Sequence, residues 1–345
     1  KTVLPVKEIP HLSGNIYEAA FRENMDVDQF RQLSILDPSS FSARKISVWR
    51  HPDEVIIIMG RPVMTHKFCG DFMGANHCAW LSKDGEILKE TGLLGLSMEK
   101  VSFAEAQKGN LADPLTDWSQ IASIPSNVII ADPSRLKQIR VRIDGKEQAF
   151  LNLAGGRQSF QANILTVTSE NVHLPSERFS PSDEEKQKFL QATPLAPSDH
   201  PEIMAQAMQI VSVSDSPQVK TRKIVAWVYK NITKIPVVSI PNALEVLRLK
   251  QGDCNEHAVL TAALLRAAGV PAQIETGLVY LNGRFYYHAW NSAFTDRWMT
   301  ADAVFNQIPA DVTHIRLAGG EHGGELDLLG VVGRIKLEVL STSYD

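Results

Sequence analysis

A cysteine stands at the start of a segment that has the pattern of a long apolar helix. Asp253 precedes Cys254, and Glu256 follows three residues after Asp253, which is the spacing of an N-terminal capping box. Cys254 is then the first helical residue, where unpaired backbone N–H groups and the positive end of the helix dipole favour a thiolate over a thiol. The spacing predicts a nucleophilic cysteine, although a free cysteine is also often a small buried hydrophobic residue.

The helix that starts at Cys254 is expected to be buried and central. Its apolar residues lie on nearly all sides from Ala258 to Ala268, and Gly269 and Pro271 mark its end. A buried helix holds its first residue rigidly.

A histidine and an aspartate lie downstream on two segments that are predicted to pair as a hairpin. The first strand, residues 284–291, alternates and is rich in aromatic residues, and the second covers residues 298–302. A turn at residues 295–297 places His288 directly opposite Asp302, because their numbers are symmetric about 295.

These positions suit proton transfer to and from the cysteine. His288 could take the Cys254 proton, or form a thiolate–imidazolium pair, while Asp302 fixes the tautomer of the ring. The structural alternatives are a core histidine bonded to backbone and a turn aspartate at the end of a strand.

The order Cys254, His288, Asp302 and the motifs around it resemble the transglutaminase-like superfamily of papain-type thiol enzymes. The motifs lie between about Ala205 and Leu317 and read GDCxEHAxL, ALLRAAGVPA, HAW and WxxxD. The resemblance implies an α+β catalytic domain with a papain-like fold. In it, Cys254 would be the nucleophile, His288 the general base and acid, and Asp302 the orienting carboxylate.

The resemblance also implies a class of reaction. The expected function is cysteine-dependent acyl transfer on amide bonds through a thioester, either peptidase-like hydrolysis or transglutaminase-type transamidation, on a protein or peptide substrate. Ala303 and Ser292 depart from the superfamily pattern, in which proline and glutamate are common at these places. The alternative is a non-catalytic scaffold or binding protein that keeps the fold.

Two aromatic residues are candidates for a substrate groove. Tyr286 and Trp290 share a strand face with His288, so they are expected to line the groove or to shield the histidine from water. Phe285 and Tyr287 should pack on the opposite face. The alternative is that all four aromatic residues belong to the core, where aromatic residues of central strands are commonly buried.

Composition excludes several other classes. The chain has 345 residues, 44% of them hydrophobic and 21% charged, with a formal net charge of -4. This balance gives no electrostatic footprint for nucleic acid, and no tract has the length or apolarity of a membrane span. No cofactor is expected. The chain begins at Lys1 without methionine, which indicates removal of a secretory signal, and hence export, or of an artificial segment.

The chain is expected to divide near residues 176–200, which are rich in proline and serine. Residues 1–175 would form a mainly β N-terminal region, and residues 201–345 the catalytic domain. A helix is predicted over 17–36, and other helices over 184–191, 201–211, 217–231 and 243–250. Strands are predicted over 45–50, 54–59, 86–90, 93–101, 128–130, 138–142, 149–153 and 160–167.

The N-terminal region also contains a group of histidines and cysteines. His66, Cys69, His77 and Cys78 are types that bind zinc, but adjacent His77 and Cys78 point to opposite sides of an extended chain, so no metal site is expected. Cys69 and Cys78 could form a disulfide if the protein is exported. Two separate thiols are the favoured interpretation.

Overall fold

The chain divides into two units that interleave in sequence. The computed structural model describes residues 10–12, 15–37, 42–72, 75–91, 97–109, 123–145, 151–170, 182–235, 241–319 and 335–344. One unit comprises Lys1–Ala122 with Leu329–Gly333, and the other comprises Ser123–Leu328 with Arg334–Asp345.

The first unit is built around a seven-stranded sheet whose strands follow chain order. All neighbours are antiparallel except the first pair. The strands are β1 (His11–Leu12), β2 (Phe30–Asp37), β3 (Ser42–Ile58), β4 (Arg61–Phe72), β5 (Ala75–Leu81), β6 (Ile87–Thr91) and β7 (Ser97–Glu99). The helices of this unit are α1 (Ile16–Arg22) and α2 (Phe103–Gly109).

One face of this sheet is covered by α1. Ile16, Tyr17 and Ala20 of the helix are buried in one core with residues such as Val48 and Phe68. The predicted helix over 17–36 is therefore wrong in its second half, because α1 ends at Arg22 and β2 begins at Phe30.

Cys69 and Cys78 are directly paired across β4 and β5 and form a disulfide. The interpretation as two separate thiols is wrong, because antiparallel pairing brings the two residues face to face. With their sulfurs joined, they cannot act as thiolate ligands of zinc.

The described part of the second unit holds five α-helices, and the last of them is central. They are α3 (Asp183–Lys188), α4 (Pro201–Ile210), α5 (Pro217–Asn231), α6 (Ala243–Leu249) and α7 (Cys254–Ala267). The residues of α7 from Glu256 to Arg266 are all buried, as its apolar pattern predicted. The helix packs against α4, α5, α6 and two strands.

Those strands belong to a five-stranded sheet. Its order is β16 (Trp298–Ala301), β15 (Arg284–Phe294), β14 (Ala272–Leu281) and β17 (Ile315–Gly319), and β8 (Ser123–Pro125) pairs with the first residues of β15. The predicted strand over 128–130 does not form.

The hairpin of β15 and β16 forms, but its register differs from the prediction. Asn291 pairs with Ala301 and Phe294 with Trp298, so the turn is centred on Asp296 and His288 is not directly opposite Asp302. The partner of each residue shifts by two, and a shift of two preserves the face on which a side chain lies. His288 and Asp302 therefore still meet, along a diagonal.

The second unit also contains a two-stranded parallel sheet of β12 (Thr233–Lys234) and β13 (Gln251–Gly252), and a four-stranded sheet. The order of the four-stranded sheet is β10 (Gln158–Gln161), β11 (Ile164–Thr168), β9 (Gln138–Asp144) and β18 (Lys336–Ser343). The predicted strand over 160–167 is in fact a hairpin, with Ala162 and Asn163 at positive φ in its turn. The predicted strand over 149–153 lies partly outside the described residues, and 151–153 are not strand.

The two compact units do not divide at the predicted boundary of 176–200. The strand β8 pairs with the hairpin strand β15, and β9 pairs with the C-terminal strand β18, so residues from Ser123 onward belong to the second unit. The segment after α3 is also packed, because Ala196 is fully buried in the core of α7 and the carbonyl of Phe189 accepts the N–H of Ala272. Residues 171–181 lie outside the described part.

Within the described ranges, no helix has both the length and the apolarity needed to cross a membrane.

Candidate active site

Cys254 occupies the first turn of α7 in the predicted manner. The side chain of Asp253 accepts the N–H groups of Asn255 and Glu256, and Glu256 accepts the N–H of Asp253, which is a complete capping box. This fold-back needs a glycine before it, since a Cβ on Gly252 would lie 2.2 Å from the Cβ of Glu256. Cys254 is the one free cysteine of the chain's three and is partly exposed.

His288 lies on β15 and connects the cysteine to the aspartate. Its Nε2 is 2.7 Å from Oδ2 of Asp302. Burial lowers the pKa of His288, but the charge and hydrogen bond of Asp302, together with the interaction with Cys254, outweigh it and raise the pKa to about 9. The imidazolium is therefore the favoured form at neutral pH.

Asp302 follows β16 at the point where the chain leaves the sheet, and its carboxylate is held by four donors. Oδ1 accepts the backbone N–H groups of Val304 at 2.6 Å and Phe305 at 3.2 Å, and Oδ2 accepts from His288 and, at 2.9 Å, from Nε2 of His314. Burial alone would raise the pKa of Asp302, but the two histidines hold it well below its usual range. The group is a buried carboxylate whose ionised form is favoured.

His314 is the residue of this cluster to which the sequence pattern gave no role. It ends the loop that leads from Asp302 to β17, and it is fully buried. The Asp311-x-x-His314 spacing is the one local signal for it, since Nδ1 of His314 is 3.2 Å from the carbonyl of Asp311.

Trp290 is one of the two predicted groove residues, and the structure places it in the interior. Only 1% of Trp290 is exposed, so of its two predicted roles this position favours shielding His288 from water over lining a groove. Its ring stacks on His288 at 6.1 Å, meets His314 edge-on at 5.2 Å, and donates from Nε1 to Glu275 at 2.9 Å. A wall against water is the part of the prediction that this position suits.

Tyr286 is half-buried beside β8, where it pairs with Ser123, and its role in a groove stays a prediction. Phe285 is fully buried against Tyr280, as expected for the opposite face, and Tyr287 is half-buried. Phe305 was not among the candidates. Its ring lies 5.3 Å from that of His288 and is 37% exposed, so it covers the histidine from the solvent side.

Close approach of β17 requires a glycine beside His288. Gly277 of β14 pairs with both His288 and Arg316, and a Cβ on it would lie 2.0 Å from the carbonyl oxygen of Ile315.

His288, Asp302 and His314 are also of types that bind metals, and their candidate ligand atoms lie within 4.8 Å of one another. Both imidazole Nε2 atoms make hydrogen bonds to the same carboxylate oxygen. Protons on those nitrogens fill the positions from which a metal would be bound, so the geometry favours a proton-linked network over a metal centre.

Two comparisons place this chain among known proteins, and a third finds no match among curated proteins. Residues 205–303 match the family model described as the transglutaminase-like superfamily. A solved structure from Cytophaga hutchinsonii, provisionally named a cysteine protease, is 18% identical at a TM-score of 0.36, with 64% of this chain and 79% of that chain covered. The periplasmic domain of TgpA from Pseudomonas aeruginosa is 12% identical at a TM-score of 0.32, with 81% and 82% covered.

Proposed function

Since residues 205–303 form a domain of the transglutaminase-like superfamily, we propose that the protein is a cysteine-dependent acyl-transfer enzyme that acts on amide bonds. The observation that carries the proposal is the pair of His288 and Asp302, whose Nε2 and Oδ2 atoms are 2.7 Å apart, together with the free thiol of Cys254, whose interaction with His288 raises the pKa of the ring. A nucleophile, a base and a group that orients the base are the minimum that thiol-mediated acyl transfer requires.

The first half of the reaction forms a thioester. The Cys254 thiolate attacks the carbonyl carbon of the substrate amide, and the carbonyl oxygen becomes an oxyanion. The backbone N–H of Cys254, at the positive end of the α7 dipole, stabilises that charge. The imidazolium of His288 then gives its proton to the departing amine nitrogen as the C–N bond breaks.

The second half resolves the thioester. Water or a second amine attacks the acyl carbon, neutral His288 takes the proton of the attacking group, and the C–S bond breaks to release the thiolate and the product. We favour hydrolysis of a protein or peptide, because water needs no second binding site, over transamidation.

Asp302 serves both halves without changing its own charge. With Oδ2 on Nε2 of His288, it leaves Nδ1 to face Cys254 and stabilises the imidazolium. Its pKa lies well below the usual range, so it stays ionised while His288 gains and loses its proton.

A test that needs no knowledge of the natural substrate uses the thiol itself. Because Cys69 and Cys78 are joined, intact-mass spectrometry of the unreduced protein counts alkylation at Cys254 alone. We expect iodoacetamide to label Cys254 rapidly at pH 6, and His288→Ala to slow that labelling by about tenfold or more through loss of the imidazolium partner.

Acyl transfer itself is tested with p-nitrophenyl acetate, which acylates reactive thiols. The wild type should show a burst of p-nitrophenol and a mass gain of one acetyl group, and Cys254→Ser should show neither. The control is His200→Ala, a half-buried helix cap far along the chain from these groups. Slow labelling at pH 6 together with no burst in the wild type would contradict the enzyme and favour a non-catalytic scaffold.

We also propose that the protein works in an oxidising compartment outside the cytoplasm. The Cys69–Cys78 disulfide supports this, because such bonds persist in exported proteins and are rare where thiols are kept reduced. Alkylation of cells before lysis, followed by peptide mass spectrometry, should find both cysteines protected; alkylated Cys69 and Cys78 would contradict export.

A further inference from the structure

His314 is a fully buried histidine whose two ring nitrogens both face acceptor oxygens. Nε2 is 2.9 Å from Oδ2 of Asp302, and Nδ1 is 3.2 Å from the carbonyl oxygen and 3.4 Å from Oδ1 of Asp311. A neutral imidazole has one N–H and one lone pair, so it would turn a lone pair toward an oxygen at one of these places. An imidazolium donates at both, and the geometry therefore fits a protonated ring.

Asp302 depends on this ring for one of its four hydrogen bonds. Three donors remain without it, two backbone N–H groups on Oδ1 and His288 on Oδ2. An ionised carboxylate that is removed from water needs its acceptor sites occupied. His314 thus helps to orient Oδ2 of Asp302, the oxygen that accepts the hydrogen bond from His288.

The charges along this line alternate in sign. A thiolate at Cys254 would be followed by the imidazolium of His288, the carboxylate of Asp302, the imidazolium of His314 and the carboxylate of Asp311. Each buried charge then has an opposite neighbour on every bonded side, which is the condition under which charges are tolerated in the interior.

We propose that His314 is a positioning residue: as an imidazolium bonded to Asp302 and Asp311, it fixes the carboxylate that orients His288 and offsets part of that carboxylate's charge. The inference rests on the proposed acyl-transfer function, because it assigns a role within the same site. His314 does not touch the reacting atoms and acts through Asp302.

The surroundings of His314 support the charged form. Burial lowers the pKa of His314, but the hydrogen bonds and charges of Asp302 and Asp311 outweigh it and raise the pKa to about 8. Asp311 is itself held ionised, with its pKa far below the usual range through the contacts with His314 and Thr313. Trp290 packs edge-on against the ring and carries no charge.

A further pair of charged groups, Arg157 and Glu170, lies at this loop. Arg157, in the turn before β10, donates to the carbonyls of Ala310, Asp311 and His314, and its guanidinium lies 3.8 Å from the carboxyl of Glu170. These hydrogen bonds of Arg157 hold the backbone of the loop that carries Asp311 and His314.

Among the described residues, the nearest other titratable ring is that of His288, which lies 5.7 Å from the ring of His314.

The consequence for His288 has a definite sign. A cation on the far side of Asp302 reduces the negative potential at His288, so the imidazolium of His288 releases its proton more readily than it would beside an unshared carboxylate. A general acid and base works best when its pKa is near the working pH, so this effect favours turnover.

The test measures histidine protonation by NMR in full-length protein with ¹³C- and ¹⁵N-labelled histidine. In the wild type, His314 should carry protons on both nitrogens at pH 7. In His314→Gln, which keeps an N–H for Asp302 without the charge, the midpoint of the His288 titration should rise by about one pH unit. In Asp311→Asn, the His314 titration should fall and that of His288 should rise.

The control is Thr313→Val, which removes a hydrogen bond to Asp311 in the same loop and changes no charge. It should lower the melting temperature and leave the His288 titration in place. A His314 that carries a single N–H at pH 7 would overturn the inference. So would an unmoved His288 titration in His314→Gln, or an equal shift in Thr313→Val.

Kinetics of p-nitrophenyl acetate acylation separate positioning from bulk stability. Loss of the hydrogen bond in His314→Leu should reduce the acylation rate constant about 10- to 100-fold with little change in the apparent KM, and His314→Gln should recover most of it. Equal rates in the Leu and Gln variants would count against positioning. If the NMR shifts occur as expected while the wild type shows no acylation, the inference about His314 and Asp302 stands and the proposed function fails.

Discussion

The two ends of the line from Cys254 to Asp302 are built in different ways. Cys254 is held by a motif four residues long, in which Asp253 caps the helix and Glu256 folds back onto Asp253. Asp302 is held by a loop that extends to His314, and that loop is clamped by Arg157, about 150 residues earlier in the chain. The nucleophile is therefore specified locally, whereas the orienting carboxylate depends on contacts that no short motif contains.

The largest expected effect comes from removing the distant support of the Asp302 end. A fragment His200–Asp345 keeps the whole motif around Cys254 but lacks β8, the partner of β15, and β9, the partner of β18. We expect this fragment to be unfolded or molten by circular dichroism and thermal melting, because strands β15 and β18 lose partners and the loop loses Arg157.

The matched fragment is Ser123–Asp345, which contains nearly all of the second unit. It should melt cooperatively and label at Cys254 as the full chain does. If the His200–Asp345 fragment folds cooperatively, the catalytic domain is independent of residues 123–199. The position of Asp302 would then not depend on contacts with those residues.

The next largest effect is on chemistry. Asp302→Asn keeps an oxygen for the N–H groups of Val304 and Phe305 but turns an NH₂ group toward two imidazole N–H donors. We expect one histidine to lose its orientation and p-nitrophenyl acetate acylation to fall by about 10³- to 10⁴-fold, as tautomer errors do in related triads.

The control for this substitution is Asp296→Asn, in the turn of the same hairpin, where the side chain bonds Thr295 and Gln218. Acylation by this variant should lie within twofold of the wild type. The variant Asp302→Asn could instead be folded, as judged by circular dichroism, and acylate at nearly the wild-type rate. Asp302 would then have a structural role and no role in catalysis.

This contrast explains how much the sequence could predict. Helices α5 and α7 were predictable with their ends, because Ser216 and Asp253 are capping residues before apolar runs. The proximity of His288 and Asp302 was predictable despite a wrong register, because alternation fixes the face of a strand independently of its exact partner. His314 was not predictable, since its contacts depend on how a loop folds back.

The division of the chain into units also depends on contacts between distant segments, which the sequence does not reveal. Proline and serine between 176 and 200 are typical of a linker, but composition does not report that Ala196 fits into the core of α7. The pairing of β9 with β18 joins segments almost 200 residues apart, and periodicity within a strand carries no information about its partner.

The smallest expected effect is at Phe305. This residue lies in the loop that holds Asp302, and its side chain contacts His288 from the solvent side. Its ring lies 5.3 Å from His288 and is 37% exposed, while its backbone N–H donates to Asp302. Phe305→Ala keeps that N–H, so the carboxylate should stay in place. The free energy of unfolding should fall by about 1–2 kcal/mol, since the ring is partly buried.

Acylation is the sharper measurement for Phe305. Loss of the ring opens His288 to water and removes apolar surface beside the nucleophile, so we expect kcat/KM toward an aromatic or peptide ester to fall about three- to tenfold, mainly through KM. Phe305→Leu restores apolar bulk and should recover most of the loss. If kcat/KM is unchanged in Phe305→Ala while stability falls, Phe305 belongs to the support of the loop alone, and the solvent side of the site lies elsewhere.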